Sequence, residues 1–278
     1  VLLRLPEALK RDTRMLKLED IRKLINSILE SEVLSRGMRF RLPAPVAVGG
    51  AEDPLWTEIK LLHPWMKTPQ ELLSGARSVV VFALPISDEA IRSNISGDEP
   101  SFEWLRDYVA ANEILWNASC KLADYLKNLG YKSLPLRPTH DFDNVELRSS
   151  WSHRHAGYVC GLGTFGLNNL LITERGCAVR ICTVITEALI ERSERPRHEY
   201  CLAKLGYSCD ACLRRCPIGA LNDWKSMKGK CYERLLSFSE KWPILGEADA
   251  CGKCSVGIPC ATQIPGLYEN RNRKIAMI

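Results

Sequence analysis

Eight of the twelve cysteines fall in one stretch, in the order Cys201, Cys209, Cys212, Cys216, Cys231, Cys251, Cys254 and Cys260. Cys209-Asp-Ala-Cys212 and Cys251-Gly-Lys-Cys254 are C-x2-C pairs, and Cys212-Leu-Arg-Arg-Cys216-Pro217 reproduces the C-x3-C-P end of an iron–sulfur run. A C-x2-C turn points two sulfurs at one metal, and the proline after Cys216 leads the chain away from it. Eight thiolates are what two 4Fe-4S cubanes require, at four cysteines each.

Three other uses of these cysteines compete. Disulfide frameworks suit short secreted chains, whereas this chain has 278 residues, 46% of them apolar. A four-cysteine zinc site could use the two C-x2-C pairs but leaves Cys201, Cys216, Cys231 and Cys260 idle. One cluster with spare cysteines is the third. The run is also irregular: its first cysteine would fall at Gly206, so Cys201 stands in from five residues upstream, and Pro259 precedes Cys260 rather than following it. In two-cluster runs the last cysteine of each half ligates the other cluster. That crossing rule assigns Cys201, Cys209, Cys212 and Cys260 to one cluster and Cys216, Cys231, Cys251 and Cys254 to the other.

A second stretch, residues 140–169, holds His140, Asp141, Asp143, His153, His155 and the glycines of Gly161-Leu-Gly163-Thr-Phe-Gly166-Leu-Asn168-Asn169. Closely spaced glycines bring bare backbone against a ligand or a bend. The spacing fits G-x-G-x-x-G, but that motif needs a strand before it and a helix after it; here a helix over 151–160 precedes and a short strand follows. His153 and His155, two apart, lie on different sides of a helix or the same side of a strand. They serve catalysis or cofactor contact, or else act as structural donors. Asp141 and Asp143 are either turn residues or site acids.

The elements that must position these residues read in order as follows. Residues 17–36 form an amphipathic helix, and residues 42–54 a Pro- and Gly-rich loop. Thr68-Pro69-Gln70-Glu71 is a capping box opening a short helix that stops at Gly75. Residues 78–84 (SVVVFAL) are a buried strand. A polar loop over 87–100 precedes the longest helix, 101–129, which puts Trp104, Tyr108, Val109, Leu115, Leu122 and Leu126 toward the core. Further strands span 131–136, 170–173 and 178–186, and the charged run 191–199 links to the cysteine-rich part. The expectation is α+β, residues 1–195 forming a cofactor and substrate domain and 196–278 a small metal-stapled one.

The net charge of +5 gives no strong nucleic-acid signal, and no apolar run approaches the roughly 18 residues of a membrane span. No secretory or twin-arginine segment opens the chain, which starts at Val1. Iron–sulfur cysteines with four further thiols (Cys120, Cys160, Cys177, Cys182) suit a reducing, cytoplasmic setting and anaerobic handling.

The two chemical stretches together resemble the epoxyqueuosine reductase family and the related corrinoid-dependent reductive dehalogenases. The family's A-G-L-G-x-x-G-K-N-x-L-L-I segment is matched by Cys160 through Ile172, and a double 4Fe-4S unit follows downstream in both. The likeness runs through roughly residues 70–265. It implies a nitroreductase-like domain holding a cobalamin, with flavin the lesser alternative, beside a ferredoxin-like domain with two 4Fe-4S clusters. It also implies cofactor contacts at Gly161, Leu162, Gly163, Gly166 and Asn168, and a proton-donating aspartate, matched by Asp143 with Asp141 as rival. The implied activity is a reductase that passes low-potential electrons, from a donor such as ferredoxin or flavodoxin, to a corrinoid that reduces a small molecule. The family's lysine is Leu167 here, and the chain ends at Ile278 without the helical-repeat extension of tRNA-acting members. Both speak against tRNA as substrate. The alternative is a non-catalytic electron carrier serving a separate corrinoid protein.

Overall fold

The computed structural model describes residues 15–139 and 141–266; His140 lies outside them. In chain order the elements are α1 (Leu18–Ser35), β1 (Val46–Gly50), α2 (Pro54–Leu62), α3 (Pro69–Leu72), β2 (Ser78–Pro85), α4 (Asp88–Ser93) and α5 (Phe102–Asn128). There follow β3 (Ser133–Leu136), α6 (His153–Cys160), β4 (Gly163–Phe165), β5 (Leu171–Thr173), β6 (Val179–Thr186), α7 (Ala211–Arg215) and α8 (Trp224–Lys241). One sheet has the order β1-β2-β6-β3, and β4 and β5 form a separate hairpin; all of these pairings are antiparallel.

Strand β2 is buried along its whole length, because both of its faces are covered. Val80, Phe82 and Leu84 enter the core under α1 and α5, while Val79, Val81 and Ala83 enter a second core under α6. The period-two alternation of a strand thus yields a continuous apolar run when helices cap both sides. Strand β6 follows the same rule: Cys182 and Val184 face the α5 side, Ile181 and Ile185 the α6 side. The α5 helix starts on a Ser101 cap and buries the aromatic stripe expected of it, except that Val109 is half-buried. Thr68 and Glu71 form the expected capping box.

Two expectations change. The 42–54 segment is not all loop, since Val46–Gly50 pairs with β2, Val46 opposite Phe82. Its glycines misled the propensity reading: a Cβ on Gly49 would sit 2.8 Å from the Cys160 sulfur, so bare backbone is what lets α6 pack there. The 87–100 loop begins with α4, capped by Ser87, whose hydroxyl also bonds the fully buried Asp107 of α5. Residues from the cysteine-rich part join the α5 core, among them Phe238, Ala248, Ala250 and Val256.

The β4–β5 hairpin depends on Gly163, where a Cβ would lie 2.0 Å from the Ile172 carbonyl oxygen. Gly163→Ala is expected to force the two strands apart and cost about 1–3 kcal/mol in urea denaturation, the usual range for overpacking. Gly229→Ala, in α8 with open space around it, is expected to be neutral or slightly stabilising in the same measurement.

Candidate functional site

A cleft of about 740 Å³ opens at the end of the sheet. Strand β6 supplies Val179 and Ile181, the first turn of α6 supplies His153 to His155, and the hairpin supplies Phe165 and Leu171. His63, Trp65 and Met66, together with Arg137, Asp141, Phe142 and Arg148, close the rim. A second cavity of about 380 Å³ shares Thr139, Phe142, Arg154, Leu170, Val179 and Arg180 with the first and continues to Cys216, Cys231, Cys251 and Cys254. The volume suits a small-molecule or cofactor site.

His153 and His155 both reach this site but differ in role. His153 Nε2–H donates to the Arg137 carbonyl at 2.7 Å, so its Nδ1 accepts from the Thr183 hydroxyl at 2.8 Å. Thr183 is fully buried on the α6 face of β6, and this pair ties helix, strand and β3 together. His155 Nδ1 lies 2.8 Å from the Ser152 hydroxyl, and its ring stands 5.4 Å from His63 and 5.2 Å from Phe165. Burial is the main force that lowers both histidines to about 4, with Arg180 adding to it at His153, and Arg154 and His63 at His155. Both are neutral at pH 7.

Asp143 and Asp141 separate as well. The Asp143 carboxylate accepts from the backbone N–H of Glu146 (3.0 Å) and Val145 (2.9 Å), closing a turn on the exposed rim. Those bonds lower its pKa. Asp141 lines the cleft and Asp143 does not.

The glycine segment builds the wall from behind. Gly161 ends α6 in a left-handed conformation, with the Glu194 backbone 2.7 Å from where a Cβ would stand. Leu162 is buried in the α6 core, Gly163 sits against β5, and Gly166 against the Asn168 side chain. Among these residues, Asn168 is the one that reaches toward the cysteines: its Nδ2 donates to the Cys254 carbonyl at 2.9 Å, and its Oδ1 accepts from Leu170 N–H.

The eight cysteines divide into two quartets. Cys201, Cys209, Cys212 and Cys260 line one tight hollow together with Asn168, Ile258 and Pro259. Cys216, Cys231, Cys251 and Cys254 line the cavity that joins the cleft. Burial, and then crowding by neighbouring sulfurs, raises Cys212 and Cys231 to about 11 and Cys254 to about 12, with Cys212 of the other quartet contributing at Cys254. A shared cation would reverse that repulsion and favour the thiolates.

Several residues of the site escaped sequence reasoning. Arg154, whose guanidinium bonds the Asn169 carbonyl, and Arg180, which spans Asn112 Oδ1 (3.0 Å) and the Tyr108 ring (4.5 Å), form the wall between the two cavities. Arg137, Arg148 and Lys228 add to the cleft, against a single carboxylate, Asp141, among its lining residues. A cation inside the apolar strand AVRICTVIT was the available signal for Arg180. Cys177 also emerges, its sulfur 4.0 Å from that of Cys260.

Acidification tests the histidines. Both bind a proton more readily in the unfolded chain (about 6.5) than in the folded one (about 4), so stability is expected to fall as pH drops from 6.5 toward 4. The limiting slope is about 1.4 kcal/mol per pH unit for each histidine. Urea melts between pH 7 and 4.5 should show a shallower slope for His153→Gln than for the parent.

No protein-family model matches this chain, and no curated protein matches it. Among solved structures, epoxyqueuosine reductase from Bacillus subtilis superposes with a TM-score of 0.51 at 18% identity, over 87% of this chain and 68% of that one. A catabolic reductive dehalogenase in complex with 3-bromo-4-hydroxybenzoic acid superposes with a TM-score of 0.53 at 17% identity. That match covers 84% of this chain and 32% of the dehalogenase. The molecule thus has the mixed α/β fold found in epoxyqueuosine reductases and reductive dehalogenases, the same proteins its glycine and cysteine stretches resemble.

Proposed function

We propose that this chain is an iron–sulfur reductase in which two 4Fe-4S clusters, held by the two cysteine quartets in a ferredoxin-like unit over 196–278, deliver electrons to a cofactor in the cleft of the 1–195 domain. The observation that carries this reading is the sorting of the eight cysteines into two quartets, one of them lining a cavity that shares wall residues with the cleft. The lining that this cavity shares with the cleft, through Arg154, Leu170, Val179 and Arg180, favours an enzyme over a carrier that serves a separate protein.

The residues present fit the clusters. The indole Nε1 of Trp104 is buried beside the second quartet without a hydrogen-bond partner among the described residues. It packs on Gly252, between Cys251 and Cys254, where a Cβ would stand 2.4 Å from it. An unpaired donor in that place has a natural acceptor in a cluster sulfur. Among the described residues no three acidic, cysteine or histidine groups converge to hold a single ion. A cubane asks for something else, four thiolates around a volume, each on its own iron.

Bound in these places, the clusters would supply one-electron carriers, and a corrinoid, or less favourably a flavin, would supply the reducing centre. The chain's own residues bind, orient and exclude water. Trp65, Met66, Phe165, Leu171 and Ile181 give the cleft its apolar wall. Neutral His155, with Nε2 free of hydrogen-bond partners among the described residues, and Asp141 are the groups placed to hold or pass a proton; His153 is a positioning residue. The cationic rim formed by Arg137, Arg148 and Lys228 offers charges that Leu167 does not. It keeps polyanions such as tRNA among the substrate classes, beside small anions. The electron donor would be a low-potential protein of the ferredoxin or flavodoxin kind. No described helix is long and apolar enough to cross a membrane.

Anaerobic reconstitution is the test. Parent protein is expected to hold about eight irons per chain, with a broad visible band and a shift of the cobalt bands on addition of cobalamin. Cys212→Ser and Cys254→Ser should each lose about half of that iron. Iron below one equivalent with stoichiometric zinc would sink the reading, and unchanged iron in both variants would refute the ligand sets.

A further inference from the structure

Lys253 is 1% exposed, although lysine is seldom fully buried unless paired. It lies inside the second C-x2-C pair, between Cys251 and Cys254. Its Nζ donates to the backbone carbonyls of Asn94 (2.9 Å) and Ser96 (2.7 Å). Carbonyl oxygens take up two of its three N–H groups but leave its charge uncompensated. An ammonium removed from water in this way needs an anion close by, and Lys253 lines the same cavity as Cys216, Cys231, Cys251 and Cys254.

The first quartet has no counterpart. Its hollow is lined by cysteines and by residues such as Leu167, Leu202, Ile258 and Pro265, with no lysine or arginine. The two sites are therefore unequal electrostatically. Reduction adds one electron and one negative charge to a cluster, without making or breaking a bond and without a proton. A fixed cation in the lining of the same cavity favours the reduced form, and net charge and burial are among the levers that set such potentials.

We propose that Lys253 is a positioning charge that raises the reduction potential of the cluster held by Cys216, Cys231, Cys251 and Cys254. The potential of the other cluster does not depend on it. This rests on the two-cluster reading of the quartets. The consequence is direction: an electron entering at the first quartet runs downhill to the second, the one that borders the cleft. The competing role is mechanical. Lys253 and Asn94, whose Nδ2 donates to the Cys251 carbonyl at 3.0 Å, together clamp the segment after α4 to the cysteines.

The experiment is a dithionite titration of the reconstituted full chain, followed by electron paramagnetic resonance, with parent, Lys253→Met, Lys253→Gln and Asn94→Ala. Both lysine variants are expected to move one midpoint to more negative values and leave the other in place. Asn94→Ala loosens the clamp and keeps the charge, so it should leave both midpoints where they are. Unmoved midpoints in the lysine variants would overturn the proposal, as would an equal shift in Asn94→Ala. Loss of iron from both lysine variants would make the residue structural and overturn it too. A parent protein with no cluster signal removes the two-cluster reading itself, an outcome distinct from clusters present with unmoved potentials.

Discussion

The antiparallel pairing of β2 with β6, eight residues long from Ser78 opposite Thr186 to Pro85 opposite Val179, is the constraint on which the rest depends. Both strands are covered on two faces, so their register cannot slip by one residue without exchanging every side chain between the two cores. That register puts Thr183 under α6, where it holds His153, and Arg180 toward α5, where it meets Tyr108 and Asn112. The floor of the cleft is thus a by-product of how the sheet buries its apolar residues.

The cysteine-rich half is attached to this frame by polar as well as apolar contacts. Tyr108 donates to Asp249 at 2.8 Å, Asn168 to the Cys254 carbonyl, and Asn94 to the Cys251 carbonyl. Phe238 and Val256 enter the core beneath α5. Three points of the frame, in α5, the hairpin and the turn after α4, therefore fix where the second quartet stands relative to the cleft. An electron-delivery role asks for such fixed distances.

Electrostatics in the cleft run against the usual picture of histidine as a charged group. Burial and neighbouring cations keep His153 and His155 neutral, and the positive charge resides in arginines and Lys228 instead. Such a lining favours anionic ligands and places proton-handling groups and fixed charges at different positions.

The C-x2-C turns and the crossing rule suggested two quartets from sequence alone, and the fold lines one hollow with Cys201, Cys209, Cys212 and Cys260 and another cavity with Cys216, Cys231, Cys251 and Cys254. Local spacing carries that information because each short turn fixes its own pair of sulfurs. Apolar periodicity likewise gave α1, α5, β2 and β6, since each must bury a face. It missed β1, α2, α4, α7 and α8: the two glycines of β1 read as loop, and their purpose shows only where Cys160 packs on Gly49. The glycines of 161–166 read as bare backbone against a ligand or a bend, and in the fold Gly161 and Gly163 sit against backbone and Gly166 against the Asn168 side chain. Tertiary structure alone decided which aspartate faces the cleft, that one histidine is held at both nitrogens, and that Lys253 lies buried beside thiolates. Those outcomes depend on which side chain fills the space next to another, and no spacing along the chain encodes that.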